Sequence, residues 1–289
     1  MYILGIHDGH NCGATLVQDG TVIASVCEER LSRRKNEVGY PKLSIEDVIR
    51  LSGVTVEEID AVVFASLFMH LPEFLLDIKP WYRVGIEDQK RNSKITDSYK
   101  KQIFDTRKRE RISDVCTHLG VDKSKVSFVE HHTAHLAAAY YTAPDQHNGP
   151  VLGLTCDGAG DGISATVSIC EGSKIERVSK TDRHASLGKI FSRVTMMMGM
   201  KPWEHEYKLM GLAPYADPER VERAAEVLHK LLYVDTDDLV FKQKGELSTN
   251  YIYDYLNDSF KEIRFDVIAA ATQKFTEDLL VEWARSAIE

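Results

Sequence analysis

Apolar and polar positions change period several times along the chain, and each change marks an element. Tyr2 to Ile6 is a short apolar run that predicts a buried strand. Two alternating segments, Gly13 to Gln18 and Thr21 to Cys27, flank Asp19-Gly20 and predict a hairpin closed by an Asp-Gly turn. Ser44 to Ser52 begins on a cap-like serine and continues with helical spacing. Ile59 to Ala65 predicts a further strand, Ile112 to Leu119 a helix, and Val126 to Val129 a strand leading into an Ala-rich helix. Val151 to Thr155 is again an apolar strand, running into a Gly-rich turn. Asp217 to Leu232 and Phe265 to Ile288 have the spacing of amphipathic helices. Trp81 to Arg111 breaks the pattern. It is rich in Lys and Arg and poor in aliphatics, which predicts an insertion or a solvated helical segment.

The order of these elements repeats. L-G-I-H-D-G-H-N-C-G-A-T-L-V-Q-D-G-T-V-I-A-S-V opens the chain, and L-G-L-T-C-D-G-A-G-D-G-I-S-A-T-V-S-I-C-E-G-S-K-I-E-R-V opens a second run at Leu152. Each reads as strand, Asp-Gly turn, small-residue strand, acidic-Gly turn and third strand. A unit recurring in fixed order points to duplication. The expected fold is α/β, with a first half over residues 1–150 and the start of a second half over 151–289. Two such meanders facing one cleft would resemble the duplicated, ribonuclease H-like superfold of actin, hexokinase and Hsp70, a likeness of fold and not of function. The chain stops on the helix ending at Ile288 with neither a capping Gly nor a following strand. The expectation is therefore a fragment of a larger active unit.

Composition narrows the classes. The chain has 289 residues, 43% hydrophobic and 28% charged, which is ordinary for a folded domain. The formal net charge of −8 argues against a broad nucleic-acid surface. Five cysteines at 12, 27, 116, 156 and 170 show no C-x-x-C spacing and suit free thiols in a reducing compartment. Neither a signal-peptide pattern nor an apolar run of membrane-spanning length is visible, so a cytoplasmic protein without a membrane partner is expected.

The candidate chemistry lies in V-E-H-H-T-A-H-L-A-A-A-Y-Y and T-C-D-G-A-G-D-G. His131 and His135 stand four apart, on one helix face. His132 is three from His135 and competes for the same role. Asp157 follows at a strand end, and two imidazoles with a carboxylate make a divalent-metal site. Gly158, Gly160, Asp161 and Gly162 read as a turn whose free amides would cradle a phosphate.

Five motifs in order, D-G-H-N-C-G-A-T-L-V-Q-D-G, E-E-R-L-S-R-R-K-N-E-V-G-Y-P, E-H-H-T-A-H-L-A-A-A-Y, D-G-A-G-D-G and E-Y-K-L-M-G-L-A-P-Y, resemble the N-terminal, Kae1-like domain of the nodulation- and antibiotic-type O-carbamoyltransferases. The resemblance covers nearly the whole chain. It implies that carbamoyl phosphate and ATP are joined as a carbamoyl-adenylate in a separate C-terminal YrdC-like domain, missing here. The Kae1-like domain then passes the carbamoyl group to a hydroxyl of a sugar or natural product. It further implies His131, His135 and Asp157 as metal ligands, with a fourth ligand beyond Glu289. Iron is the metal the family suggests, and Mn or Zn suit the donors equally. The family's H-D-x-S-A motif falls on His10-Asn11-Cys12-Gly13-Ala14, which makes His10 the general base and puts Asn11 where the family has Asp. His7-Asp8 is a rival register. Lys208, and more weakly Lys35 with Arg34, are candidates for the phosphate or the carbamoyl oxygen. Glu28 and Glu29 pair with these basic residues or with the substrate. The Met196–Met198 run suits core packing, and the loop after it an acceptor pocket. Self-association into a homodimer is compatible with this reading, and the chain alone is expected to lack turnover.

Two alternatives stand beside it. A tRNA threonylcarbamoyl-transfer protein of the related Kae1 type is disfavoured by the acidic charge and by E-Y-K-L-M-G-L-A-P-Y. A non-catalytic nucleotide-binding module would show histidines turned away from the site.

Overall fold

Asp19 and Gly20 both sit at positive φ, 48° and 84°. That backbone turns the chain so that β2 (Gly13–Gln18) pairs antiparallel with β3 (Thr21–Cys27), as the Asp-Gly pattern predicts. β2 also pairs antiparallel with β1 (Tyr2–His7), and β1 pairs parallel with β4 (Ile59–Phe64). β5 (Val126–Phe128) adds in parallel at the far edge, giving a mixed sheet of order β3-β2-β1-β4-β5. The computed structural model describes residues 1–69, 82–143 and 149–289, which group into two units. Among the described residues, the first comprises 1–69 and 95–134, the second 82–94, 135–143 and 149–289. The class is α/β, as expected.

In the first unit, Leu4, Ile6 and Leu16 of the sheet pack with Ile45 and Val48 of α2 (Lys42–Ser52). Glu28, the first residue of the short helix α1 (Glu28–Ser32), is buried. Its carboxylate accepts from the amides of Leu43 (3.0 Å) and Ser44 (2.7 Å) and so caps α2. Its partners are amides, not the basic residues of the neighbouring loop.

Charged residues 97–111 belong to a 23-residue helix, α4 (Asp97–Leu119), capped by Thr96. Most of its surface is solvated, as its composition predicts, but its last arginine is not. Arg111 is 2% exposed and Asp8 is 3% exposed. The guanidinium donates through Nε and Nη2 to the two Asp8 oxygens at 2.7 and 2.8 Å. It also donates to the Ser66 carbonyl and hydroxyl at 3.0 and 3.1 Å and stacks over Phe64 and Phe128. The bidentate geometry and the added acceptors make so deep a charge tolerable.

In the second unit, β6 (Val151–Gly160), β7 (Ile163–Glu171) and β8 (Lys174–Asp182) form an antiparallel meander of order β6-β7-β8. Both predicted meanders are thus present. The Gly-rich segment is not a turn throughout, however. β6 continues to Gly160, and the reversal comes at Asp161 and Gly162, at φ 52° and 84°. Before it, register slips between Cys156 and Gly160, so that residues 157–159 bulge from the ladder.

Helix α10 (Phe265–Ile288) is the centre of this unit. Ala269, Ala271, Phe275, Leu279 and Trp283 are buried, and the Trp283 indole donates to the Leu239 carbonyl at 2.8 Å. Around it lie α6 (Leu187–Met197), α7 (Glu206–Leu212), α8 (Pro218–His229) and α9 (Tyr253–Ser259). A hairpin of β9 (Leu232–Asp235) and β10 (Val240–Gln243), unannounced by the hydrophobic pattern, packs there too. The short helix α3 (Ile86–Asn92) is tied down by Asp254, which accepts from the Ile86 amide, and by paired bonds between the Gln89 side chain and residues 246 and 248. Trp81, the first residue of the predicted insertion, lies outside the described part together with residues 70–80. Among the described residues no helix is long and apolar enough to cross a membrane.

Two substitutions test this packing. Arg111→Ala leaves the Asp8 carboxylate buried and unpaired and is expected to cost about 3–5 kcal/mol in denaturant unfolding, with Asp8→Ala/Arg111→Met recovering much of the loss. A methyl at Gly188 would meet the Asp157 carbonyl and the Gly158 amide at 2.9 Å. Gly188→Ala is therefore expected to lower stability by about 1–3 kcal/mol; a Tm equal to wild type would contradict this contact.

Candidate metal centre

The histidine helix α5 (His131–Tyr141) owes its start to Glu130. One Glu130 carboxylate oxygen accepts from the His132 amide at 2.9 Å, and the other from the Thr133 amide and hydroxyl at 3.0 Å each. This satisfies amides that a helix start leaves open and favours the N-terminal end of the dipole. The line between the two units falls inside α5, after Ala134, and the helix is continuous across it. One turn separates His131 from His135, so both imidazoles share a face. His132 points elsewhere: it is fully buried, and its ring meets that of His131 edge-on at 5.5 Å. Burial makes it a core residue.

Strand β6 runs beside α5 at a glycine. A Cβ on Gly153 would lie 2.6 Å from Leu136 Cδ1, so the helix seats on the strand only because that position has no side chain. The bulge after Cys156 then re-aims Asp157. Asp157 Oδ2 stands 3.9 Å from His135 Nε2. One ligand atom from each of His131, His135 and Asp157 lies within 4.8 Å of the others. The set of two imidazole nitrogens and one carboxylate oxygen fits a first-row divalent metal, and the spread is small enough for one ion to be held by all three. His135 and Asp157 are both substantially exposed, at 54% and 41%, so the site is open to a substrate. A cavity of about 260 Å³ lined by His135, Leu136, Ala139, Leu154, Thr155, Cys156 and Asp157 adjoins them.

The bulge is braced from behind. Ser186 caps α6, and its hydroxyl donates to the Asp157 and Gly158 carbonyls at 3.2 and 2.6 Å while accepting from the Lys189 amide at 3.0 Å. Thr155 and Thr166 hydroxyls pair at 2.6 Å across β6 and β7.

The remaining candidates are placed as follows. His10 is half-buried in the turn after β1, and its carbonyl pairs with His7 Nε2 at 3.0 Å. The ring of His7 lies 6.4 Å from that of His131, and burial pushes the His7 pKa below its ordinary value. Asn11 sits at φ 62°, a left-handed conformation that Asn accepts readily. Gly158 and Gly160 are in β6 and Asp161 and Gly162 form the hairpin reversal, so these residues do not form one open loop. Lys35 is 73% exposed and engaged with Glu29 at 3.0 Å. Lys208 is exposed on α7, its ammonium 5.8 Å from the Tyr207 ring. Sequence reading passed over Glu130, although an acidic residue just before a helix start is a capping signal. It also passed over Lys189, which no motif marks.

The family model described as carbamoyltransferase N-terminus matches residues 2–289. The nodulation protein NolNO of Sinorhizobium fredii is 30% identical over 78% of this chain and 30% of its own length. The uncharacterized protein sll1178 of Synechocystis is 30% identical over 82% of this chain and 38% of its own. The uncharacterized protein MJ1051 of Methanocaldococcus jannaschii is 24% identical over 85% and 44%. The chain thus spans less than half the length of each of these relatives. With the motifs, the α/β class and the match over nearly every residue in agreement, the chain belongs to the carbamoyltransferase family, in its N-terminal region.

Proposed function

We propose that this chain is the transfer domain of an O-carbamoyltransferase. It moves a carbamoyl group from carbamoyl-adenylate, made from carbamoyl phosphate and ATP, to a hydroxyl of a sugar or another natural product. The observation that carries the reading is the convergence of His131, His135 and Asp157 within 4.8 Å, inside a chain of this family. The two meanders support the further reading that the fold is of the duplicated, actin-like kind. The adenylate would be made by a C-terminal, YrdC-like domain of the whole protein.

In the transfer step, the acceptor oxygen bonds to the carbamoyl carbon. The bond from that carbon to the phosphate oxygen breaks, AMP leaves, and the hydroxyl proton passes to a base. A hydroxyl is a weak nucleophile at neutral pH, so a positioned imidazole is the group required. The turn after β1 supplies two. His10 is the one the motif register favours. His7 lies beside His131, and burial pushes its pKa below the ordinary imidazole value. Asp8 is held by Arg111 and is not available to orient either ring. A metal held by His131, His135 and Asp157 would offset phosphate charge when bound.

Metal analysis of the purified protein is the first test. Wild type is expected to carry about one divalent ion per chain, and His131→Ala/His135→Ala to carry none while remaining folded. A metal-free wild-type protein containing the rest of the natural chain would overturn the reading. With that full-length protein, loss of the base is expected to lower transfer by ~10²–10⁴-fold. Comparing His10→Ala with His7→Ala identifies which imidazole is the base.

A further inference from the structure

Helix α6 carries two cations one turn apart, Lys189 and Arg193, with no carboxylate at ion-pair distance among the described residues. Positions four apart share a helix face, and like charges there repel. Arg193 is 5% exposed and Lys189 is half-buried. Among the described residues neither forms an ion pair. The Arg193 Nε donates to the Asn250 carbonyl at 3.0 Å, and no other acceptor for the guanidinium is found there. The Lys189 ammonium lies 5.0 Å from the centre of the Trp203 ring. Its other neighbour is the bulge of β6, where a Cβ on Gly158 would lie 3.8 Å from Lys189 Nζ. A third donor is close to Arg193: Asn250 is 8% exposed, and its side-chain Nδ2 is buried with no acceptor at all.

Buried polar groups are almost always satisfied, and buried cations almost always paired. Here two desolvated cations lie one turn apart, and the residue whose carbonyl accepts from one of them carries an orphaned amide donor. Asp157 and Glu206 act on Lys189 from a distance, Glu206 and Tyr251 on Arg193, while Arg183 repels Lys189. The cost of this arrangement shows in both groups. Desolvation first, and the neighbouring Arg193 second, pull the Lys189 pKa down to about 8, and desolvation pulls Arg193 down to about 10. A carboxylate offers one charge and two oxygens. A phosphate offers up to two charges and three oxygens, which matches two cations and an amide.

We infer that Lys189 and Arg193, with Asn250 beside them, form a phosphate-binding site next to the bulge that carries Asp157. The site takes the phosphate of a substrate. Which substrate supplies it rests on the transferase reading above, whereas phosphate binding itself does not.

The test uses inorganic phosphate and pyrophosphate with metal-free protein kept in chelator, read by calorimetry and by the rise in Tm that a ligand of the folded state produces. Wild type is expected to bind pyrophosphate more tightly than phosphate. Lys189→Met is expected to weaken both by about tenfold or more, the loss of one charge-assisted contact. Without ligand, Lys189→Met is expected to be as stable as wild type or more so, because an unanswered cation has been removed. Arg193→Lys keeps the charge but loses the fork, and should bind with intermediate affinity. No response of wild type to either anion would overturn the inference, and so would an equal response in Lys189→Met. Repeating the titration with ATP and with carbamoyl phosphate identifies the source: the substrate whose binding falls in Lys189→Met is the one whose phosphate sits there. Metal loading is measured separately on protein without chelator; wild type that binds phosphate but no metal would count against the metal centre alone, so the two readings fail separately.

Discussion

Strand β6 is approached by two helices at the points where side chains vanish, and the candidate site depends on that. Leu136 of α5 occupies the space over Gly153, and Gly188 of α6 lies against the backbone of Asp157 and Gly158. Any Cβ at Gly153 or Gly188 would come within 3.0 Å of a neighbour. Close packing of this kind transmits small displacements with little slack. The glycines therefore do more than permit turns. They bring the histidine helix near enough to the strand for His135 and Asp157 to approach to 3.9 Å, and they let the Ser186 hydroxyl reach two consecutive carbonyls of the bulge.

A different device orders the first unit. The end of β1 leads into the turn that carries His7 and His10, and Asp8 stands between them. Its carboxylate is consumed by Arg111 of α4, whose guanidinium is in turn stacked on Phe64 of β4 and Phe128 of β5. One residue thereby ties three parallel strands and a helix at the sheet end from which the candidate base projects. A buried pair of this type gives little net stability against an apolar replacement. Its value is in fixing where the following residues go.

Much of this was legible from local pattern. Both Asp-Gly hairpins and the histidine helix follow from rules that act within a few residues, and the long helix ending at Ile288 follows from its periodicity. The three candidate ligands could be named because helical spacing and a strand end are local facts. What escaped is non-local. Arg111 reads as one more charge in a solvated segment until Asp8, 103 positions away, is seen beside it. Gly158 and Gly160 read as loop because glycine density suggests a turn, whereas here it reflects a bulge and a close helix. His132 reads as a rival ligand until burial removes it. Lys189 carries no motif, and its character comes wholly from what surrounds it.

The bulge explains why groups of opposite affinity meet at one place. In a regular strand, successive side chains alternate between faces at fixed spacing, and one ligand would contact residues two apart. Here residues 157–159 of β6 stand against one residue of β7, which breaks that alternation. Asp157 turns its carboxylate towards His135, so that lone pairs gather there and favour a cation. Gly158, with no side chain, leaves room for the ammonium of Lys189, so that proton donors gather there and favour an anion. Two neighbouring residues thus serve charges of opposite sign. A metal ion beside a phosphate has this same polarity. The lysine and arginine repel each other, and the imidazoles and carboxylate leave donor atoms turned towards one point. On the two proposed sites, binding either ligand would strengthen the field that holds the other, through a single irregularity in one strand.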